Sequence, residues 1–171
     1  DSVILICEHS KDATMGLILN KPLYNFDTSQ FLMKMKINSV TNLKSSPTFF
    51  GGPVHLNQGF IIHSNEKKYK TSEDILDGVM ITSSKEILID ISKDKSPEYA
   101  KIFLGCAVWD QGQLDNEILE NSWIISNSSK DLIFHNHLEF SLWKKCLKNM
   151  GVDPSKFCLL YTSPSPRDLS T

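Results

Sequence analysis

A chain of 171 residues with 18 basic and 20 acidic side chains carries a formal charge of −2, so it offers no global positive field for nucleic acid or anionic lipid. Its 40% hydrophobic and 22% charged residues, with eight Gly and seven Pro, exclude a disordered or fibrous polypeptide, and the length suffices for one domain with its own core. No apolar run reaches the roughly 18–20 residues of a membrane span, and no basic stretch precedes a shorter one, so a cytoplasmic protein without membrane attachment is expected.

Residues 3–7 and 16–20 are β-rich runs joined by the polar segment 8–14, a hairpin-like connection, and Pro22 ends the second. Asp27-Thr28-Ser29-Gln30 has capping-box spacing, and Phe31, Leu32 and Met35 continue it as an amphipathic helix. Thr48-Phe49-Phe50 runs into Gly51-Gly52-Pro53, and residues 59–63 form another strand. Residues 79–82 are a further strand before a second capping box, Ser83-Ser84-Lys85-Glu86, and the helical positions Ile87, Leu88 and Ile91. A buried strand over 102–108 leads through Asp110, at capping-box spacing from Gln113, into a helix over 113–121. Residues 122–126 and 132–134 read as two strands with 127–131 turning between them. Phe140, Trp143, Leu147 and Met150 mark the face of a last helix stopped by Gly151. The total is seven or eight strands and four helices, mixed rather than alternating, without internal repeats.

Asp1 enters the first strand within two residues, with no cap, turn or initiator Met, so truncation at the N-terminus is expected. Composition changes abruptly near the other end. Residues 158–171 resemble vector read-through or a disordered Ser/Pro-rich tail, which leaves a single domain over 1–157. Cys7, Cys106, Cys146 and Cys158 form no C-x-x-C pair, and three lie in apolar segments, as befits free thiols in a reducing compartment.

Five stretches in order carry a resemblance. They are Val3-Ile4-Leu5-Ile6-Cys7-Glu8-His9, Met15-Gly16-Leu17-Ile18-Leu19-Asn20-Lys21-Pro22, Gly51-Gly52-Pro53-Val54 with Gly59-Phe60-Ile61-Ile62-His63, Thr82-Ser83-Ser84, and the run from Gly105 to Ile118. Together they resemble the AlgH/YqgE-like family of small bacterial proteins over residues 2–157. The resemblance implies an α+β fold in which a bent, mixed β-sheet closes into a pseudo-barrel flanked by helices. It also implies an additional N-terminal segment with a first strand, which this chain lacks, and a transcription-related regulatory role. It brings no catalytic mechanism, ligand or cofactor.

Candidate site residues fall in two groups. Cys7 and His9 are two apart in a strand and so share a face, with Glu8 on the other, which would let an imidazole lower the thiol pKa and make a nucleophile or redox sensor. The plainer reading is that Cys7 ends a buried run and His9 begins the turn. Asn20 and Lys21 gather polar groups near Glu8 and His9 at one rim, and Gly51 and Gly52 permit close approach of a ligand or of backbone. Trp109, Gln113 and Glu117 form the second group: Gln113 and Glu117 share a helical face, and with Trp109 they line a pocket or else serve capping and packing.

His135 and His137 are at most a metal half-site without a partner of diagnostic spacing, so no metal is assigned. The lysines at 67, 68, 70, 144, 145 and 148 read as solvated faces, and direct nucleic-acid binding is not expected. There is no G-x-G-x-x-G, Walker or G-x-S-x-G motif, Ser83 and Ser84 read as caps, and no cofactor is implied. The favoured reading is a non-enzymatic regulatory or ligand-binding protein with a protein or small-molecule partner. A thiol-dependent enzyme or redox sensor and a purely structural interaction module are the alternatives.

Overall fold

A computed structural model describes residues 2–34, 36–37, 47–93, 95–135 and 139–157. The strands are β1 (Ile4–His9), β2 (Ala13–Ile18), β3 (Thr48–Phe50), β4 (Val54–Ser64), β5 (Glu73–Leu76), β6 (Val79–Thr82) and β7 (Ala100–Asp110). The helices are α1 (Thr28–Lys34), α2 (Lys85–Ser92), α3 (Gln113–Leu119), α4 (Lys130–Phe134), α5 (Glu139–Asn149) and the single turn α6 (Pro154–Phe157).

The sheet runs β1-β2-β7-β4-β6-β5, with β3 parallel to β7 and every other pairing antiparallel. Its terminal strand β5 returns close to β1, so the α+β fold is a nearly closed barrel. β7 carries the branch: residues 100–106 pair with β3 and β4, while residues 107–110 pair with β2. The bend falls at Gly105, whose φ of +70° is a left-handed conformation that L side chains rarely adopt. Residues 101–107 are continuously buried because both faces of this strand are covered.

Three apolar clusters follow from that bend. Leu5, Leu17, Phe49, Phe103, Ile133 and Leu142 belong to the largest. Leu32, Ile61, Ile87 and Leu88 seat α1 and α2 against the sheet, and Ala107, Trp109 and Leu114 seat α3 with Ile4 and Ile6.

Local signals place most elements, with corrections. Gln30 N–H donates to Asp27 Oδ1 at 3.1 Å at the start of α1, as the capping box predicts; Met35 lies outside the described residues. The cap of α2 is Ser84, whose hydroxyl accepts from Glu86 N–H, while Ser83 instead bonds Thr71. Asp110 does not cap α3: the N-cap is Gly112 at φ +69° with no side-chain cap, and Gln113 Oε1 accepts from Asp110 N–H at 3.0 Å. Residues 132–134 are helix α4 rather than a strand, because Ser129 caps it by accepting from Leu132 N–H at 3.2 Å, and a three-residue apolar run has no periodicity to decide the matter. Residues 123–129 carry no strand pairing, β4 is longer than the expected 59–63, and β5 is an added short strand.

Candidate functional site

The turn after β7 brings Trp109, Gln113 and Glu117 together. Trp109 Nε1–H donates to Glu117 Oε2 at 3.1 Å, and Gln113 Nε2–H donates to Glu117 Oε1 at 2.9 Å. A fourth residue, Trp123, completes the cluster: its Nε1–H donates to Glu117 Oε2 at 2.6 Å, and its ring meets Trp109 edge-on at 6.0 Å. The bonds from Trp123 and Gln113, then Trp109, hold the Glu117 carboxyl below the ordinary carboxylate range. One carboxylate thus ties β7, α3 and the irregular segment after α3 into a single unit, and its oxygens are committed to protein donors.

That unit forms one wall of a cavity of about 710 Å³. Other walls come from Ser2, Val3 and the first three residues of β1, Ile75 and Leu76 of β5, residues 122–128, and Trp143, Cys146 and Leu147 of α5. All three tryptophans of the chain line it, and among the described residues no Asp, Glu, Lys or Arg does. Its volume falls within the range of pockets that bury small ligands, and its wall is mainly aliphatic and aromatic. Ile124 and Ile125 remain 53% and 69% exposed, so the apolar lining continues onto the surface.

Cys7 and His9 do not share a face. A bulge between Ile6 and Glu8 leaves Cys7 out of register, which shifts the side-chain alternation by one. Cys7 packs with Leu5 on the main core, its thiol 3.5 Å from the Leu5 carbonyl oxygen. Burial, with Cys106 nearby, pushes the Cys7 thiol up to about 12. His9 falls in register with Thr14, which itself pairs with Trp109, on the opposite face; its Nδ1 lies 2.7 Å from Thr14 Oγ1 and its Nε2 3.9 Å from Asp115 Oδ1. Glu8 is exposed.

Asn20 is buried and accepts from Val3 N–H at 2.8 Å, which fastens the start of β1 to the end of β2. Lys21 is exposed, and its carbonyl accepts from Phe50 N–H. Gly51 and Gly52 lie against β7: a Cβ on Gly51 would overlap the Gly105 carbonyl, and one on Gly52 would overlap the Cys106 main chain. Close packing of two backbones therefore accounts for both glycines without a ligand.

Among the candidates chosen from the sequence, only Trp109 lines the cavity. Trp123 and Trp143 were missed, and the available signal was their rarity: three tryptophans in 171 residues form a set to be considered together. His135 Nδ1 lies 3.3 Å from Asp131 Oδ1, and His137 is outside the described residues. Among the described residues no three His, Cys, Asp or Glu side chains group as a metal site would require. No described helix is long and apolar enough to cross a membrane.

With this geometry in place, comparison with known proteins gives a consistent answer. The sequence pattern of a family described as AlgH-like matches residues 1–155. A UPF0301 protein of Pectobacterium carotovorum is 36% identical over 156 residues, covering 89% of this chain and 83% of the relative. The UPF0301 protein YqgE of Shigella boydii is 35% identical over 156 residues, with the same coverage of both chains. The solution structure of the AlgH protein from Pseudomonas aeruginosa superposes with a TM-score of 0.77 at 25% identity, covering 96% of this chain and 85% of that one.

Proposed function

The chain belongs to the AlgH-like family, and from that premise we propose that it acts by binding an uncharged, apolar ligand in the cavity between β1, β5, α5 and the segment after α3. The observation that carries this reading is a cavity of about 710 Å³ lined by all three tryptophans and, among the described residues, by no charged side chain. Apolar surface of that extent gains most by being covered. The Glu117 hydrogen bonds support the same reading, since they fix two of the three tryptophans in place before any ligand arrives.

In this reading the binding unit is the one domain expected over residues 1–157. A regulatory output, transcription included, runs through the ligand rather than through a basic DNA-facing surface, in keeping with a net charge of −2. Free thiols at Cys7, Cys106 and Cys146 suit a cytoplasmic location. The thiol-enzyme alternative has less support, because Cys7 is half-buried on the opposite face from His9 and its thiol is pushed up to about 12.

Titration with the uncharged dye N-phenyl-1-naphthylamine tests the proposal. Saturable, one-to-one enhancement of dye fluorescence with energy transfer from tryptophan is the expected result. A signal that grows without saturation, or no signal, refutes it.

A further inference from the structure

We propose that His63 is an acid-responsive latch on the connection between β4 and β5: when the imidazole becomes charged, residues 65–72 open and Tyr69 leaves α2. None of the latch residues lines the cavity. His63 is fully buried near the end of β4, paired with Met80 of β6 and Ala100 of β7. The connection closes over its ring, with Ser72 Oγ 3.1 Å from Nε2 and the Tyr69 ring edge-on at 5.3 Å.

The hydrogen bonds admit only a neutral ring. Nδ1 lies 2.8 Å from the Ser64 carbonyl oxygen, which can only accept, so Nδ1 carries the proton and Nε2 accepts from Ser72 Oγ–H. Ser72 Oγ in turn accepts from Tyr69 N–H at 2.9 Å. A second proton makes Nε2 a donor and sets two hydrogens against each other across that contact. If Ser72 rotates to accept from it, the buried hydroxyl gives up its own acceptor, and the imidazolium still has no carboxylate beside it. Glu66 favours the proton by its charge, but it is exposed and shared with Lys130 and Glu98 N–H. Asp90 of α2 is bound to Lys67 and to the Tyr69 hydroxyl. Lys34 of α1, Lys85 and Glu86 of α2, and Glu73 and Asp74 of β5 are exposed. β6 has no titratable side chain, Lys101 of β7 lies over the Phe49 ring on the other face, and Tyr99 stacks on Phe134.

The part that yields is the connection. β4 is held by ladders on both sides, whereas residues 65–72 are held by single contacts and all but Tyr69 and Ser72 are exposed. Those contacts are the paired Tyr69 and Ser72 bonds, the Tyr69 hydroxyl on Asp90 at 3.1 Å, and Thr71 Oγ1 on Thr82 Oγ1 at 2.8 Å. Burial holds the closed His63 below its usual range, and opening returns it to about 6.5, so the open form takes up the proton first as pH falls. An imidazole charged only in the open form raises the opening constant about thirtyfold between pH 7.5 and pH 5. The Lys67 ammonium outweighs partial burial and keeps Asp90 below the usual carboxylate range, so Asp90 stays ionised throughout that window. Opening detaches the Tyr69 anchor of α2 and frees a segment that carries Lys67, Lys68 and Lys70.

The test is amide exchange of the full chain, read by NMR at pH 7.5 and pH 5 and corrected for the intrinsic rate of each amide. The Tyr69 and Ser72 amides should gain at least tenfold. At pH 5 they should also exchange at least tenfold faster than the Ile18 and Gly51 amides, which are bonded inside the sheet. His63→Gln should abolish the gain. No gain in the wild type, a gain that persists in His63→Gln, or one common rate at all four amides, which reports global unfolding, overturns the latch. Should the variant not fold, the wild-type ring decides through its carbon shifts. A His63 titration whose midpoint matches the opening supports the latch, and a ring that stays neutral while the connection opens overturns it.

Discussion

Ile124 and Ile125 provide the sharpest separation of binding from folding. Both line the cavity, yet they keep 53% and 69% of their surface exposed. Fully burying an aliphatic side chain is worth about 1.5–3 kcal/mol. If a ligand covers the exposed parts, the pair contributes about 1.8–3.7 kcal/mol to binding, or roughly 20- to 500-fold in Kd at about 1.4 kcal/mol per tenfold. The covered fractions are smaller, so replacing both by Ser should cost folding only about 1–2 kcal/mol. The assay pairs dye titration with urea unfolding of the Ile124→Ser, Ile125→Ser double variant at one temperature. A variant that folds and binds the dye with wild-type affinity would refute the reasoning, because the mouth would then lie outside the binding surface.

Other expectations follow from the same geometry. With its thiol pushed up to about 12 against a free value near 8.5, Cys7 in the native protein should alkylate at pH 8 on the order of a thousandfold slower than a free thiol; a rate near the free value would restore the sensor reading. Ser72 Oγ–H donates to His63 Nε2 at 3.1 Å and accepts from Tyr69 N–H at 2.9 Å, all buried, so Ser72→Ala should lose about 2–5 kcal/mol in urea unfolding at pH 8. Burial holds His63 below its usual range, so the unfolded chain takes up the proton first. Stability is therefore complete above about pH 6.5 and declines as pH falls through that value toward the folded pKa, and a flat profile from pH 8 to 5 would contradict the burial. Gly105→Ala meets a left-handed φ and the Gly52 carbonyl, so a loss of at least about 3 kcal/mol is expected; a neutral variant would reopen a ligand role for Gly51 and Gly52. Glu117→Gln should shift tryptophan emission and remove an acid-dependent loss of stability. Because the Glu117 carboxyl is held below its usual range, its contribution is present above about pH 4.5 and lost as pH falls through the folded value; unchanged emission and an unchanged acid profile would sever the link to Trp109 and Trp123.

Caps, turns and short apolar runs are local, and the sequence alone located some of them: Asp27 before α1, the strand preceding Gln113, and the paired glycines at 51 and 52 lie where their residue types require, whereas the expected cap at Asp110 and the strands over 122–126 and 132–134 gave way to tertiary context. It also determined the family, because five motifs in fixed order depend on nothing beyond the chain itself. Tertiary structure decided which side chains meet. One bulged residue at Cys7 reverses the alternation and puts Cys7 and His9 on opposite faces, a change that strand periodicity cannot reveal until the pairing partner is known. The cavity draws on residues 2–6, 75–76 and 122–128 and on Trp143, Cys146, Leu147 and Met150, which are brought together only when β7 bends at Gly105 and β5 returns to β1. Trp109 was legible as a candidate because it ends a strand at a turn. Trp123 and Trp143 were not, because what places them in the cavity wall is a long-range convergence that no local pattern encodes.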